Sequence, residues 1–394
     1  MIWHIARKEF LLNVVTLRFA AAVAVSTVVS LAGAFVLHSP ENLSRANPLL
    51  WRFRRLDWAF IVMVVLSFTA LVLSYDAVCG EREAQTLRLQ MSQAVHRRTL
   101  ILGKLAGVLL CLLLLLLVGV LLHLTIVSLA GVVALDARLA VAVAGALLLS
   151  ALYLSVFVPL GLFVSSRCRQ SATSLVICLL AWALLVVVVP NLGGLLASSA
   201  GKLSGPQEVW QRADAAWDEA RQRYDQQHPS PMAWVYSGNW SPGEPLHRAV
   251  LMDEAKERVY LDWITRMLTQ ARTGRDLTRI APAAVYRHGM EALAGSGLEH
   301  FARFLEQARR YRQELRDFLQ RKYPLDPDAP FSSEANRQAN AIPVAFEEIP
   351  RFQERLPGPA EAARDAAPDA LLLALWVTVA CSGACASFLR ADVR

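Results

Sequence analysis

The sequence predicts an all-α membrane protein with six transmembrane helices and a helical extracytoplasmic domain inserted between helices 5 and 6. Three observations lead to this prediction. Hydrophobic residues make up 55% of the 394 residues. Six apolar runs are long enough to cross a bilayer core of about 30 Å, which takes about 20 residues of helix. One long hydrophilic segment separates the fifth run from the sixth.

The first elements follow from the positions of these runs. Residues 1–13 mix apolar side chains such as Ile2, Ile5 and Phe10 with charged ones, which predicts an amphipathic helix in the membrane interface before the first span. The spans are expected at residues 19–37, 58–75, 105–133, 139–164, 172–189 and 369–389. Pro190 and the Gly193-Gly194 pair are expected to stop the fifth span.

These positions divide the chain into three parts. Residues 1–195 hold the interfacial helix and spans 1–5, residues 196–368 form the extracytoplasmic domain, and residues 369–394 hold span 6 and a cytoplasmic tail. The inserted domain is expected to be helical, because apolar residues recur at three- and four-residue steps over 209–226, after residue 245 and over 298–323. Residues 324–359 contain many prolines without a sustained period, which predicts irregular chain.

The charge distribution indicates orientation rather than nucleic-acid binding. The net charge is +7, yet residues 196–368 hold 23 basic and 24 acidic residues, so the excess lies beside the spans. Short loops rich in Lys and Arg remain in the cytoplasm. Their positions predict that the N-terminus and C-terminus are cytoplasmic and that the large domain is outside. We expect no nucleic-acid partner.

The most informative polar stretch joins spans 2 and 3, from Asp76 to Lys104. Leu87, Leu89 and Met91 interleave there with polar residues, so part of the stretch is expected to form a short amphipathic helix at the membrane face. A compact charged segment between two spans can be pushed by a cytosolic partner and can pass the force into the membrane. An ordinary solvated loop that only fixes orientation is the alternative.

This stretch also carries a family resemblance. Gly80-Glu81-Arg82-Glu83, then Thr86-Leu87-Arg88, Arg97-Arg98 and Gly103-Lys104, resemble the loop between spans 2 and 3 of ABC-2 type transporter permeases. Gln85 stands where that family usually has glycine. The tail Phe388-Leu389-Arg390-Ala391-Asp392-Val393-Arg394 is similar to that of many such permeases. Residues 279–284 and 291–297 resemble a subgroup with a long outer insertion of unknown function before span 6.

The resemblance implies a type V exporter-like fold and a set of partners. Two permeases, here expected to be two copies of this chain, would each bind one cytosolic ABC ATPase in a bacterial inner membrane, surrounded by lipid. The N-terminal helix and the loop after span 2 would dock on the ATPase. The expected coupling residues are Arg7, Lys8, Glu9, Gly80, Glu81, Arg82, Glu83, Thr86, Arg88, Arg97, Arg98 and Lys104.

No catalytic residue, metal site or cofactor is predicted in this chain. A phosphate-binding loop needs G-x-x-x-x-G-K-[ST], and the nearest approach, Gly201-Lys202, has Leu196 for the first glycine and Leu203 for the final hydroxyl. ATP and Mg²⁺ are therefore expected in the partner ATPase. Cys381 and Cys385 share a helix face by spacing; a thiol pair or soft-metal site is the alternative to simple packing.

Four polar residues within the spans are candidates for a transport pathway: Ser67, Thr69 and Ser74 in span 2, and His123 in span 3. An ionisable group at membrane depth is a functional candidate, although such residues also bond to their own or a neighbouring helix.

Three functions remain open. The first is ATP-driven export of an unknown substrate. The second is mechanical action on a periplasmic protein with no substrate passage, and the third is a membrane scaffold. Reversing the charges of Glu81 and Glu83 is expected to uncouple the ATPase.

Overall fold

The computed structural model describes residues 2–25, 27, 58–92, 96–129, 137–199, 203–227, 246–322 and 345–390. Every regular element in these ranges is a helix, which confirms the all-α class. Within them, five helices are long and apolar enough to cross a membrane: Trp58–Glu83, Arg97–Thr125, Leu139–Arg167, Ser171–Ser198 and Pro359–Arg390. The expected first span lies largely outside the described residues, so the count of six stays a prediction.

The chain folds into two compact units. Unit 1 comprises Met1–Gly193, Leu277–Gly297 and Pro357–Arg394, and unit 2 comprises Gly194–Asp276 and Leu298–Leu356. The interpretation of residues 196–368 as one extracytoplasmic domain stays a prediction. Residues 277–297, in the middle of that range, pack with the apolar helices of unit 1.

Unit 1 contains the apolar helices and the segments between them. In chain order its helices are α1 Ile2–Val14, α2 Trp58–Phe60, α3 Ser67–Ser74, α4 Cys79–Glu83, α5 Thr86–Ser92, α6 Arg97–Leu129, α7 Ala137–Arg167 and α8 Ser171–Trp182. Residues Ile61–Leu66 and Ala183–Val188 are π-helical and interrupt the second and fifth spans. Helix α7 is central, because it packs against α3, α6, α8 and two later helices.

The later helices belong to both units. They are α9 Val189–Ser199, α10 Pro206–Gln227, α11 Leu246–Thr278, α12 Pro282–Leu293, α13 Leu298–Lys322 and α14 Pro359–Arg390. Helices α12 and α14 pack against each other and against α7 in unit 1. The predicted stripes over 209–226, after 245 and over 298–323 correspond to α10, α11 and α13. Residues 345–358 form turns and irregular chain, as expected for the part of 324–359 that the structure describes.

The expectation that Pro190 and the Gly193-Gly194 pair end the fifth span is wrong, because the helix continues through them to Ser199. Pro190 is the second residue of α9, which directly follows the π-helical segment Ala183–Val188. Proline normally clashes with the carbonyl four residues earlier and removes a hydrogen bond. The wider π turn relieves that clash, so the helix passes the proline.

Ion pairs link the long polar helices of unit 2. Arg316 Nη1 on α13 lies 2.9 Å from Glu254 Oε1 on α11, and Lys256 Nζ on α11 lies 2.7 Å from Asp214 Oδ1 on α10. The irregular segment after residue 345 also packs on α13, where the Tyr311 hydroxyl donates to the carbonyl oxygen of Pro350 at 3.0 Å. Polar contacts at the surface of the unit thus supplement a small apolar core.

Candidate coupling site

The N-terminal helix α1 lies in a groove formed by two glycines of α6. A Cβ atom on Gly103 would lie 2.6 Å from Ile5 Cγ2, and one on Gly107 would lie 2.5 Å from Glu9 Cβ and 2.8 Å from the backbone oxygen of Ala6. Glycines four residues apart share a helix face and let two helices approach closely. Ala6 is accordingly buried, and this face leaves α1 no room for larger side chains.

The side chain of Lys104 joins three helices beside this groove. Its Nζ lies 3.0 Å from Glu9 Oε1 on α1 and 2.7 Å from Glu81 Oε1 on α4, and only 1% of the Lys104 side chain is exposed. Gln90 on α5 donates from Nε2 to the same Glu81 oxygen at 2.8 Å. One buried ammonium thus balances two carboxylates. Such a group is costly to bury unless all of its partners are present.

The start of α4 is capped by a side chain from α7. The backbone N–H groups of Val78 and Cys79 donate to Ser165 Oγ at 3.0 and 3.1 Å. Ser174 on α8 donates from its hydroxyl to the carbonyl oxygen of Tyr75 at 2.7 Å. A helix start leaves backbone N–H groups without partners inside the helix. These two hydroxyls therefore fix the turn from α3 into α4.

Arg82 and Glu83 attach the other end of α4 to the turn between α7 and α8. Arg82 Nη1 donates to the carbonyl oxygen of Cys168 at 3.0 Å. Glu83 accepts from the backbone N–H of Ser171 at 2.9 Å and from its hydroxyl at 2.6 Å. A carboxylate at a helix N-terminus is stabilised by the free N–H groups and the helix dipole. Helix α4 is thereby connected to α6, α7 and α8.

Arg18 fastens the helical residues 17–25 to the end of α3. Its Nη1 lies 2.8 Å from Asp76 Oδ2, and its Nη2 donates to the Tyr75 hydroxyl at 2.9 Å. The guanidinium carbon lies 5.0 Å from the centroid of the Tyr75 ring. The chain that follows α1 therefore contacts the same turn that Ser174 holds from α8.

Gln85 makes the sharp turn between α4 and α5 with a left-handed backbone, at φ 58°. Glycine adopts this conformation without strain. This accounts for the glycine that usually stands at the position of Gln85 in the family whose loop this stretch resembles. The turn is present despite the substitution. In α5, Leu87 is buried and Leu89 is 68% exposed, so only one of these two apolar side chains packs inward.

The structure separates the expected coupling residues into two groups. Glu9, Glu81, Arg82, Glu83 and Lys104 make the contacts that hold α1 and α4, and Gly80 lies within α4. Glu83 is itself exposed, and the other exposed residues of the set are Arg7, Lys8, Thr86, Arg88, Arg97 and Arg98. Arg97 Nη1 also donates to the carbonyl oxygen of Leu389, at the end of α14, at 3.2 Å. Contact between any of these residues and an ATPase stays a prediction.

The candidate pathway residues lie at different levels of span 2 and its neighbour. The hydroxyls of Ser67, Thr69 and Ser74 each donate to the carbonyl oxygen four residues earlier, at 2.5, 2.8 and 2.7 Å. The centroid of the His123 ring lies 6.3 Å from that of Trp58. Trp58 begins span 2, so His123 is near the end of that span opposite to Ser74. The four residues are not gathered into one cluster, and their role in transport stays a prediction.

An apolar groove of about 550 Å³ lies along one side of span 2. It is lined by Leu17, Arg18, Ala21, Ala22, Val25, Val64, Val65, Phe68, Thr69, Val72 and Trp182. Arg18 supplies the only charge among these lining residues, and Thr69 supplies a hydroxyl. A groove of this kind fits an apolar or amphipathic molecule better than a polar one.

The described residues contain no group of three or more His, Cys, Asp or Glu side chains placed to hold a metal ion. The six cysteines are free thiols, and Cys381 and Cys385 are each half-buried on α14. The role of these two cysteines stays a prediction.

The arrangement around Lys104 is suited to holding helices together, since its ammonium is engaged with a carboxylate on each of two other helices.

Several residues of the site were not identified from the sequence. The close approach of α1 at Gly103 and Gly107 could have been predicted from the sequence, because small residues four positions apart are typical of close helix packing. Ser165 and Ser171 had no such signal, since their partners lie more than eighty residues away in the chain. Lys104 was expected to face a partner, whereas it points into the protein.

The family model described as ABC-2 family transporter protein matches residues 3–393 of this chain. The match therefore covers both units and confirms the resemblance suggested by the loop after span 2. A search among curated proteins gives no match.

Proposed function

We propose that this chain, which belongs to the ABC-2 family of transporter proteins, is the permease subunit of an ATP-driven transporter. It is a multi-pass membrane protein with the apolar helices of a membrane transport component. A separate ABC ATPase would supply the energy. The observation that carries this proposal is the buried Lys104. Its ion pairs join the N-terminal helix α1 and the short helix α4 to the membrane-spanning helix α6.

The ATPase docks, in this proposal, on the exposed side of these helices. Arg7 and Lys8 on α1 and Arg88 on α5 present positive charge, and Leu89 presents an exposed apolar side chain. Force applied there reaches α6 through Lys104 and α8 through Glu83. Glu9, Glu81, Arg82, Glu83 and Lys104 contact other helices of the protein, so we assign them to force transmission. We assign the remaining exposed residues to docking.

The complex is proposed to hold two permeases and two ATPases in a bacterial inner membrane, with both termini of the permease in the cytoplasm. Export of an apolar or amphipathic substrate is favoured by the apolar groove of about 550 Å³ beside span 2. Thr69 lines this groove, and Ser67 accepts a hydrogen bond from Trp182 in the fifth span at 2.9 Å. Both candidate residues thus lie where span 2 faces span 5.

A second function is supported by a different observation. Helix α12 is flanked in the chain by the two long helices of unit 2 but is buried among the apolar helices of unit 1. Movement of the apolar helices could therefore act on an external protein partner without substrate passage. A scaffold without an ATPase is the third candidate. Stimulation of ATP hydrolysis by this chain would exclude it.

The test is co-purification of the chain with candidate ABC ATPases of the same organism. The double variant Lys8→Glu/Arg88→Glu should lower the amount of bound ATPase by about tenfold or more, because it reverses charge on the proposed docking face. Arg258→Glu, an exposed arginine on α11 in unit 2, is the matched control and should leave binding unchanged. Equal ATPase binding by the double variant and the control would contradict the docking surface. ATP hydrolysis by the purified chain alone would contradict the permease assignment.

A further inference from the structure

Helix α12 is a buried element inside a segment of otherwise polar helices. Ala283, Ala284, Val285 and Tyr286 are each 0% exposed, and α12 packs against α7 and α14. Directly before and after it in the chain come α11 and α13, the long helices of unit 2. Helix α12 is therefore joined to unit 2 through the chain on both sides, by three residues before it and four after it.

The start of α12 is anchored by charge. Arg279 Nε lies 3.2 Å from Asp369 Oδ1 on α14, and the Asp369 side chain is fully buried. Near the other end, a Cβ atom on Gly289 would lie 2.7 Å from Leu149 Cδ2 on α7 and 3.5 Å from Asp369 Cβ. Close packing and an ion pair to a buried carboxylate thus hold α12 between α7 and α14.

Tyr286 makes the most specific contact between α12 and α7. Its ring stacks on Tyr153 with the centroids 4.6 Å apart and the planes inclined by 21°. Its hydroxyl lies 2.9 Å from Ser150 Oγ. Both tyrosines are fully buried, so neither hydroxyl can turn to water if the contact is broken.

Tyr153 continues the contact to span 2. Its hydroxyl donates to the carbonyl oxygen of Met63 at 2.9 Å. Met63 lies in the π-helical segment Ile61–Leu66, where the backbone N–H of Ser67 donates to Val62 and Val64 rather than to Met63. The Met63 carbonyl thus lacks the backbone donor that it would have in an α-helix, Ser67, and accepts from a neighbouring helix. π-bulges of this kind occur frequently at functional sites.

Ser67 carries the contact on to the fifth span. Its hydroxyl donates to the same Met63 oxygen at 2.5 Å and accepts from Trp182 Nε1 at 2.9 Å. Trp182 is the last residue of α8 and directly precedes the second π-helical segment, Ala183–Val188. We call the set Tyr286, Ser150, Tyr153, Met63, Ser67 and Trp182 the aromatic relay.

The relay joins four helices through contacts that have two discrete states, made or broken, because apolar surroundings offer no substitute partner for a polar atom.

We propose that α12 is the output element of the permease. In this proposal the aromatic relay makes α12 follow spans 2 and 5, so that ATP-driven movement of these spans changes the conformation of α11 and α13. Tyr286 and Tyr153 are positioning residues in this role. The proposal rests on the proposed function and adds the route by which unit 2 responds.

The experiment is hydrogen exchange followed by mass spectrometry on the full complex with its ABC ATPase, without nucleotide and trapped with ATP and vanadate. In the wild type, amides of α11 and α13 should change their exchange rates between the two states. Tyr286→Leu removes the stack and the hydroxyl, and Tyr153→Phe removes only the bond to Met63. Each should reduce the nucleotide-dependent change by about threefold or more. Their ATP hydrolysis and ATPase binding should remain, because the docking surface is intact.

Tyr311→Phe is the matched control, since it removes a tyrosine hydroxyl bond, to Pro350 in unit 2, that lies outside the relay. It should leave the nucleotide-dependent change at the wild-type level. The proposal is overturned if both relay variants keep the full change, or if the wild-type complex hydrolyses ATP without any change in α11 and α13. Failure of the ATPase to bind at all would instead overturn the proposed function, so the two failures are distinguishable.

Discussion

Lys104 in unit 1 and Arg312 in unit 2 have the same local composition, one cation between two carboxylates, but opposite surroundings. Lys104 Nζ lies 3.0 and 2.7 Å from Glu9 and Glu81, and its side chain is 1% exposed. Arg312 Nη2 lies 2.7 Å from Asp253, its Nη1 contacts Glu257, and its side chain is 40% exposed. Each cluster pairs one cation with two carboxylates, and the cation is buried in the first and accessible to water in the second.

That difference decides what each cluster can do. Water and ions screen the Arg312 cluster, so each exposed pair there contributes about 0–1 kcal/mol. The buried Lys104 cluster contributes little net stability as a whole, yet removal of one member leaves an uncompensated charge and costs about 3–5 kcal/mol. A buried cluster therefore enforces one arrangement of helices, which is what transmission of force requires, whereas an exposed cluster tolerates change.

The largest expected effect is that of Lys104→Met. It leaves the carboxylates of Glu9 and Glu81 facing each other without a cation, so α1 should detach locally at a cost of about 3–5 kcal/mol. Hydrogen exchange of the α1 amides should then rise by about a hundredfold or more. Arg312→Met is the matched variant, and it should change exchange in α13 by less than about fivefold. Equal effects of the two substitutions would contradict the difference between the clusters.

The next effect is steric and tests the groove that holds α1 beside Lys104. Gly107→Ala places a methyl group 2.5 Å from Glu9 Cβ and 2.8 Å from the Ala6 backbone oxygen, and a backbone atom cannot turn aside. We expect a loss of about 1–3 kcal/mol, measured as increased trypsin cleavage within α1. Gly205→Ala is the control, because no atom lies within 4 Å of its added Cβ. A cleavage rate for Gly107→Ala that matches the control would argue against close packing of α1.

A smaller, stabilising effect is expected at the turn between α4 and α5. Gln85 has φ 58°, so Gln85→Gly relieves backbone strain and should stabilise the solubilised protein by about 0.5–1 kcal/mol. Ala84, the preceding residue, has an ordinary right-handed backbone at φ −76°, and Ala84→Gly should destabilise by a similar amount. Denaturant titration of both variants measures the pair. The same sign of change in both would show that the left-handed turn is not the cause.

The smallest effect concerns pH and unit 2. Hydrogen bonds from Arg272 lower the pKa of Glu299 below its ordinary value of 4.5, with nearby arginines adding to the shift. A carboxyl whose pKa is lowered by folding stabilises the folded state above its unfolded pKa and loses that contribution as pH falls through the folded pKa. The unfolding temperature should therefore fall below about pH 4.5 less steeply in Glu299→Gln than in the wild type. If the unfolding temperature falls equally steeply with pH in both proteins, Glu299 makes no such contribution to stability.

Much of the fold is readable from the sequence because apolar length and helical periodicity are local properties. The apolar run beginning at residue 105 predicts a span there, but α6 begins at Arg97, because a helix does not end where its hydrophobicity ends. The same holds for α14, which begins at Pro359 before the apolar run at residue 369. Pro190 was misjudged because the π-helical segment before it has no sequence signature.

The candidate site is only half readable. The charged residues of the loop after span 2 were identified, yet the direction of Lys104 was not, because burial of a charge depends on carboxylates 95 and 23 positions away in the chain. Helix α12 was placed with the polar helices around it for a similar reason. Its alanines and Gly289 give it modest hydrophobicity, and only its packing against α7 and α14 reveals that it is buried.

The central claim is that Lys104 and its carboxylates make α1, α4 and α6 one mechanical body. A double-mutant cycle with Glu9→Gln and Lys104→Met, measured through the exchange of α1 amides in the ATPase complex, tests it most directly. We predict a coupling energy of about 1.5 kcal/mol or more, because Glu9→Gln removes one of the two carboxylate charges that Lys104→Met leaves without a cation, and with it the repulsion between them. Effects that simply add to within about 0.5 kcal/mol would contradict the account.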